Sequence, residues 1–265
     1  MLRVDYIPPK GFSIEQVKLT SAHRGLLLDK HFAPKKQNDK EGSLNQWKSL
    51  SESGLTPSAY NLAYERWLDY TSKTLDGCVA FKATIRGRMA LGLGIENVHE
   101  IGCRLHATYG VPVIPGSSLK GLLHAGLRKL PDYAKARLDD DEKLCIADQL
   151  FGTPEARGAV DVFDAWWVPA SGKSGLAPDV ITVHHQSYYS NKPKPPQDRE
   201  SPVPNHFLSV TGQFYFSFRI ATETEHAPKW GEFITAAAQE FLKTEGIGGK
   251  RSAGYGRFSQ FQKVC

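Results

Sequence analysis

The sequence is poor in cysteine and contains no long hydrophobic run, and each absence argues against a class of protein. Its four cysteines form no Cys-x-x-Cys pair, which argues against a zinc site and against a disulfide framework. No apolar run approaches the roughly 18 residues that a membrane span needs. The first six residues lack the apolar segment of a secretory signal. We therefore expect a cytoplasmic protein without membrane contact, and nothing in the composition indicates a cofactor.

A strong excess of one charge is also missing. Lysine and arginine exceed aspartate and glutamate by only five over 265 residues, which is compatible with an acidic partner but too diffuse to indicate one. The hydrophobic content of 40% and the charged content of 23% are those of a globular protein. The length suits one elaborated domain or two small ones. Any anion-binding function must therefore come from local clusters of charge.

One such cluster lies at residues 246–258, GIGGKRSAGYGRF, which contain five glycines and three cations. Glycine loses more backbone entropy on folding than other residues, so we expect such a cluster where the chain adopts positive φ or lies against something bulky. Backbone N–H groups in such turns form anion-binding concavities, and an aromatic ring offers a face on which a base can stack. We predict that this stretch binds a phosphate backbone through Gly248, Gly249, Lys250, Arg251, Ser252, Gly254, Tyr255 and Arg257.

Two other interpretations of this stretch compete with the phosphate-backbone contact. A nucleotide P-loop requires Lys followed directly by Ser or Thr between a strand and a helix, whereas here Arg251 intervenes and the stretch follows a helical pattern. The other interpretation is a plain turn between a helix and a final strand, with solvated cations. The sequence alone leaves this second interpretation open.

A second candidate anion site lies at residues 114–121. A Pro-Gly turn precedes a helical pattern of leucines, and Ser117 or Ser118 can cap that helix. A helix N-terminus carries unpaired N–H donors and a partial positive charge, so we predict that this end, together with Lys120, holds a phosphate. His124 and Arg128 follow at four-residue steps and extend the same stripe.

Period-two patterns predict three strands, at residues 79–91, 159–168 and 208–220. The first carries Lys82, Arg86 and Arg88 on its polar face as a basic stripe. The third carries phenylalanines at 214, 216 and 218, which share a face with aliphatic residues and are therefore predicted to be core and not an RNA-stacking surface. Helical patterns cover residues 132–150 and 230–242, and the proline-rich residues 192–204 are predicted to be an exposed loop.

The two glycine-containing motifs, taken together, resemble the RAMP superfamily of CRISPR effector proteins, and the order of motifs is most similar to the type III-B (Cmr) branch. The similarity covers about residues 78–262. It implies an α+β, ferredoxin-like (RRM-related) domain with an antiparallel sheet, packed helices and a glycine-rich loop before the last strand. We therefore divide the chain into an N-terminal helical extension, residues 1–76, and a RAMP domain with inserted loops, residues 77–265.

The resemblance also implies a function. It points to a non-catalytic structural subunit of a type III-B RNA-guided complex, which holds the CRISPR RNA near its 3′ side. The implied partners are the CRISPR RNA, a backbone RAMP subunit and another head RAMP subunit. The alternative is a RAMP-type endonuclease with a histidine general base, for which the candidates are His106, His124, His184, His185 and His206.

No histidine has a recognisable partner in the sequence. The resemblance points to no catalysis, so we predict that the protein is not an enzyme. Asp148, Asp161 and Asp164 could be imagined as metal ligands. Surface or capping carboxylates are far more frequent, so we predict no metal site.

Overall fold

A computed structural model describes residues 23–28, 40–52, 57–95, 101–129, 146–172, 174–183, 203–221 and 227–265. Its helices are α1 Arg24–Leu26, α2 Lys40–Glu52, α3 Ser58–Asp69, α4 Gly116–Lys129, α5 Ile146–Phe151 and α6 Ala227–Thr244. Its strands are β1 Cys78–Ile85, β2 Val113–Ile114, β3 Val160–Val162, β4 Ala165–Trp167, β5 Leu176–Val183, β6 Val203–Val210, β7 Gln213–Ile220 and β8 Phe258–Lys263. None of the helices it describes is long and apolar enough to cross a membrane.

The central sheet is antiparallel, with the strand order β2-β4-β7-β1-β8 and with β3 also paired to β7. Strand β1 lies between β7 and β8, although both follow it much later in the chain. Helix α4 lies between β1 and β4 in the sequence, and α6 connects β7 to β8. The order β1-α4-β4-β7-α6-β8 is that of a ferredoxin-like domain, and the predicted α+β fold with an antiparallel sheet is confirmed.

Helices cover both faces of this sheet. On one face α6 packs against β1 and β7, where Phe81, Phe216 and Phe218 are fully buried. On the other face α3 packs against Tyr215, whose ring lies 6.2 Å from that of Tyr64. The π-helical turn after α3 adds a hydrogen bond of 2.6 Å between the Thr71 and Tyr215 hydroxyls. The helical segment before β1 is therefore part of the core, while the division at residue 76 stays a prediction.

The strand predicted over residues 208–220 is in fact two strands of two different sheets. The chain turns at Gly212, where φ is 100°, and β6 pairs with β5 in a separate two-stranded sheet. The prediction that the three phenylalanines of β7 are core is confirmed. Tyr215 and Ser217 point to the opposite side of β7 and are buried as well, because α3 and the following turn cover that side.

The other two predicted strands are also interrupted. Strand β1 ends at Ile85 and the chain turns at Gly87, so Arg86 and Arg88 lie beyond the strand and the predicted basic stripe does not form. Residues 159–168 form β3 and β4, which are separated by Phe163 and Asp164. The predictions for residues 130–145, for His184 and His185, and for the proline-rich stretch as far as residue 202 lie outside the described residues.

Candidate nucleic-acid interface

The glycine-rich loop follows α6 and leads into β8, as the sequence predicts. Four of its glycines, at positions 246, 248, 254 and 256, have positive φ, and so does Lys250 at 56°. At Gly256 a Cβ atom would collide with the carbonyl oxygen of Ile247. Because any side chain at position 256 would force the loop to move, this turn requires glycine there.

Hydrogen bonds within the protein use most of the loop amides. The N–H groups of Gly249 and Gly256 donate to the carbonyls of Ala90 and Arg88, at 2.8 and 2.9 Å. The N–H of Ile247 donates to the carbonyl of Gly256 at 2.9 Å. These three amides are not available to a phosphate. At its tip the loop exposes the side chains of Lys250, Arg251 and Ser252.

The two predicted motifs meet in a groove between α4 and the loop, with a volume of about 360 Å³. Ser118 of α4 lies on one wall, and Gly248 and Arg251 of the loop lie on the other. The remaining lining residues are Gly121, Leu122, Ala125, Gly126, Lys129, Glu245, Gly246 and Ile247. Lys129 and Glu245 form an ion pair of 3.8 Å. Ser117 and Lys120 are exposed on α4 outside this lining.

The start of α4 differs from the prediction. The helix begins at Gly116, and the carbonyl of Pro115 accepts the first hydrogen bonds, from Ser118 and Leu119. The N–H of Gly116 donates to the carboxylate of Asp164 at 2.7 Å. Neither serine therefore caps the helix, and a carboxylate of the protein itself already lies at its positive end.

The stripe predicted along α4 does not continue past Lys120. Nε2 of His124 lies 3.1 Å from Oδ1 of Asp148, and Arg128 donates to both oxygens of that carboxylate at 3.1 and 3.2 Å. Both side chains are thus turned towards α5. Asp148 is a partner for His124 that the sequence pattern does not reveal, because residues 130–145 separate the two helices.

Tyr255 and Arg257 are held against the body of the protein. The Tyr255 hydroxyl donates to Oδ2 of Asp179 at 2.9 Å, and its ring lies 6.2 Å from that of Phe207. Burial, together with the carboxylate of Asp179, raises the pKa of Tyr255. Arg257 is half-buried, and its Cγ lies against Gly246. These two residues therefore support the loop through contacts with the rest of the protein, and the sequence pattern alone does not reveal those contacts.

A second, shallower depression of about 260 Å³ lies on another side of the loop. It is lined by Arg86, Gly87, Arg88, Asp179, Ala253, Gly254 and Tyr255. Two cations that were expected on a strand thus lie beside the glycine-rich loop. Arg88 is engaged there, since it donates to the carbonyl of Pro178 at 2.8 Å.

The histidines that the structure describes lie on separate elements. Nδ1 of His106, in the loop before β2, accepts a hydrogen bond of 3.1 Å from the Thr108 amide. His206, on β6, lies 6.5 Å from the ring of Trp47. Among the described residues, no group of three or more His, Cys, Asp or Glu side chains is placed to hold a metal ion.

Comparison with known proteins identifies the family. Residues 82–259, more than half of the chain, match the RAMP superfamily. The chain belongs to the RAMP superfamily. The match begins in β1 and ends in β8, so α4, the groove and the glycine-rich loop all lie inside the region that defines this RAMP protein.

The chain is also similar to individual proteins. The RAMP protein is 28% identical over 261 aligned positions to the CRISPR system Cmr subunit Cmr6 of Pyrococcus furiosus, covering 78% of this chain and 75% of the relative. A chain of the type III-B Cmr-beta complex bound to cognate target RNA shares its fold, with a TM-score of 0.60, 19% identity and coverage of 88% and 80%. The crystal structure of Cmr6 from Pyrococcus furiosus matches with a TM-score of 0.44, 23% identity and coverage of 69% and 97%. The predicted similarity to a type III-B (Cmr) RAMP subunit is confirmed.

Proposed function

We propose that this RAMP protein is the Cmr6-type subunit of a type III-B CRISPR effector complex, and that it holds the CRISPR RNA by its phosphates without cleaving it. The relative at 28% identity is a Cmr subunit, and the neighbour of the same fold comes from an RNA-bound complex. From the family resemblance we also propose that it lies near the 3′ side of the RNA, against a backbone RAMP subunit and another head RAMP subunit.

The meeting of the two motifs in one groove carries this proposal. Residues 118 and 251 are far apart in the chain, yet both line the space between α4 and the loop. Arg251 lines this space, and both Arg251 and its neighbour Lys250 are exposed. The Ser118 hydroxyl and the Arg251 guanidinium on its two walls suit phosphate oxygens, and such contacts do not depend on base sequence.

The predicted site residues have different roles in this proposal. Direct phosphate contacts come from Ser118 and Arg251 in the groove, and from exposed groups near it. Those exposed groups are Ser117, Lys120, Lys250 and Ser252. Gly248, Gly249 and Gly254 give the loop its path, while Tyr255 and Arg257 support it. His124 faces Asp148 and so lies at the margin of this surface.

The test is the salt dependence of single-stranded RNA binding by the full chain and by the Lys250→Ala/Arg251→Ala double variant. Each phosphate contact on a single strand contributes about −0.7 to the slope of log K against log salt, so the loss of two contacts makes the slope less steep by about 1.4. The matched control is Lys73→Ala/Lys229→Ala, which removes the same total charge from two other exposed positions. Lys73 lies in the turn after α3, and Lys229 lies on α6. The control keeps the wild-type slope. An unchanged slope in the loop variant would show that the loop is only a turn.

The RAMP endonuclease remains the second candidate, because His124 lies 3.1 Å from a carboxylate. A histidine held by a carboxylate is an arrangement that can serve a general base. RNA integrity is therefore checked on a gel in the same binding reactions. Intact RNA supports the holding function, whereas shortening that His124→Ala abolishes, with binding retained, would replace it by the nuclease.

A further inference from the structure

We propose, on the basis of the RNA-holding function proposed above, that Asp179 is a positioning residue that holds the glycine-rich loop in its RNA-binding conformation through Tyr255 and Arg88. Asp179 belongs to β5 of the separate two-stranded sheet. It lies 76 residues before Tyr255 in the chain. Its carboxylate connects the β5–β6 sheet to the loop that carries Lys250 and Arg251.

The carboxylate has a fixed orientation. Its Oδ1 accepts a hydrogen bond of 2.9 Å from the Val180 amide, and only 16% of the side chain is exposed. Its Oδ2 accepts the Tyr255 hydroxyl at 2.9 Å and lies 3.8 Å from Nε of Arg88. A carboxylate held on one side by its own strand can position the groups on its other side.

Arg88 connects the same carboxylate to the base of the loop. Its Nη1 donates to the Pro178 carbonyl at 2.8 Å and to the Ser209 hydroxyl at 3.2 Å, so its guanidinium is fixed to both strands of the small sheet. Its carbonyl accepts the N–H of Gly256 at 2.9 Å. The loop is therefore held next to Tyr255 by a backbone bond from Arg88 and by a side-chain bond from Asp179.

The tip of the loop depends on these bonds. Gly254 has positive φ, and nothing lies within 4 Å of the position a Cβ would take, so the space beside it is open. The cations at 250 and 251 lie just before this open position. The Tyr255–Asp179 bond is the first side-chain bond after them, and without it the tip samples more conformations, which RNA binding must then restrict.

A positioning role and a simple charge effect predict opposite signs. A carboxylate beside a phosphate-binding surface repels RNA, so its removal by charge alone tightens binding. Loss of a positioning contact weakens binding, because the cations are no longer presented in one arrangement. The direction of the change in RNA affinity therefore distinguishes a positioning role of Asp179 from a simple charge effect.

The experiment measures single-stranded RNA affinity and its salt slope for Asp179→Ala, for Tyr255→Phe and for both together. The control is Asp161→Ala, which removes a carboxylate that is also paired with arginines, on β3. We expect each of the first two variants to bind about tenfold more weakly, the lower end of what one hydrogen bond to a charged group represents. The double variant should bind RNA no more weakly than Asp179→Ala does. In all three variants the slope of log K against log salt should stay at the wild-type value. The control binds like the wild type.

The outcomes separate this inference from the function on which it rests. Wild-type or tighter binding by Tyr255→Phe and Asp179→Ala, with the salt slope reduced in Lys250→Ala/Arg251→Ala, overturns the positioning role alone. An unchanged slope in that loop variant overturns the proposed function and this inference with it. If thermal melting shows that Asp179→Ala does not fold, Tyr255→Phe decides the question by itself, since it changes no charge at neutral pH and removes one hydroxyl.

Discussion

At the scale of single residues, His106 lies half-buried in an aromatic cluster. Its ring is 4.8 Å from that of Tyr109 and 5.6 Å from that of Trp166. Burial lowers the pKa of His106, against an opposing effect of the Asp164 carboxylate. Its Nδ1 also accepts a hydrogen bond from the Thr108 amide, which requires that nitrogen to be unprotonated. The folded protein therefore favours neutral His106.

This preference predicts a pH dependence of stability. The unfolded chain binds a proton at His106 near its ordinary pKa, about 6.5, while the folded protein binds it only at lower pH. The contribution of His106 is complete above pH 6.5 and is lost as the pH falls towards the lower folded pKa. His106→Asn keeps an acceptor for Thr108 and removes the titration. Urea unfolding of both proteins from pH 7.5 to 5 should show a smaller loss of stability in the variant, and equal losses would contradict the prediction.

At the scale of elements, α4 contacts α6 through a glycine. A Cβ at Gly126 would lie 2.6 Å from the ring of Phe241, so the two helices approach as closely as they do only because this side chain is missing. Gly121, on the same helix, is exposed and has nothing within 4 Å of a Cβ position. The two glycines therefore provide a matched pair within one element.

Alanine at these two positions should change stability in opposite directions. Gly121→Ala should raise the free energy of unfolding by up to about 1 kcal/mol, because alanine is the better helix former. Gly126→Ala gains the same propensity but overpacks the core against Phe241, which typically costs about 1–3 kcal/mol, so we expect a net loss. Denaturant unfolding at equilibrium measures both. If Gly126→Ala instead raised the free energy of unfolding, the prediction would be wrong, and α6 would be able to move away from α4 without destabilising the protein.

At the scale of the whole molecule, α3 and its π-helical turn complete a core that the RAMP match does not include. Tyr60 and Tyr64 are buried, and the Tyr60 ring stacks on Trp166 at 5.7 Å. The Thr71 hydroxyl binds that of Tyr215 in the middle of the sheet. The second face of the sheet is thus covered by a segment that precedes residue 82, where the family match begins.

Removal of this segment should therefore unfold the protein. A chain that begins at residue 77 exposes the face around Tyr215 and loses two buried tyrosines, each worth about 1.5–3 kcal/mol by analogy with other large side chains. Such a loss is a large part of the 5–15 kcal/mol that stabilises a typical domain. A chain that begins at residue 57 keeps α3 and serves as the control. Circular dichroism should show a cooperative melt for the control only, and a similar melt for the shorter chain would support residues 77–265 as an independent domain.

Comparison of particular elements shows how far the sequence could predict this structure. The amphipathic pattern of α6 and the phenylalanines of β7 predicted a helix and a buried strand, and both are present because burial of an apolar face imposes the period of the element. The same alternation did not show where β1 ends or that β6 and β7 separate. Both changes occur at glycines, whose conformation the rest of the fold selects.

The sequence by itself determined the position of the glycine-rich loop between α6 and β8 and the two motifs of the candidate site, because these features depend on local periodicity and on short motifs. The RAMP fold was implied by the resemblance that these two motifs carry. Only the tertiary structure decided that Asp164 lies at the start of α4, that Asp148 binds His124, and that Asp179 binds Tyr255. These partners are 24 to 76 residues apart in the chain. The group that a carboxylate binds is set by proximity in the folded protein, and local sequence patterns carry no information about that proximity.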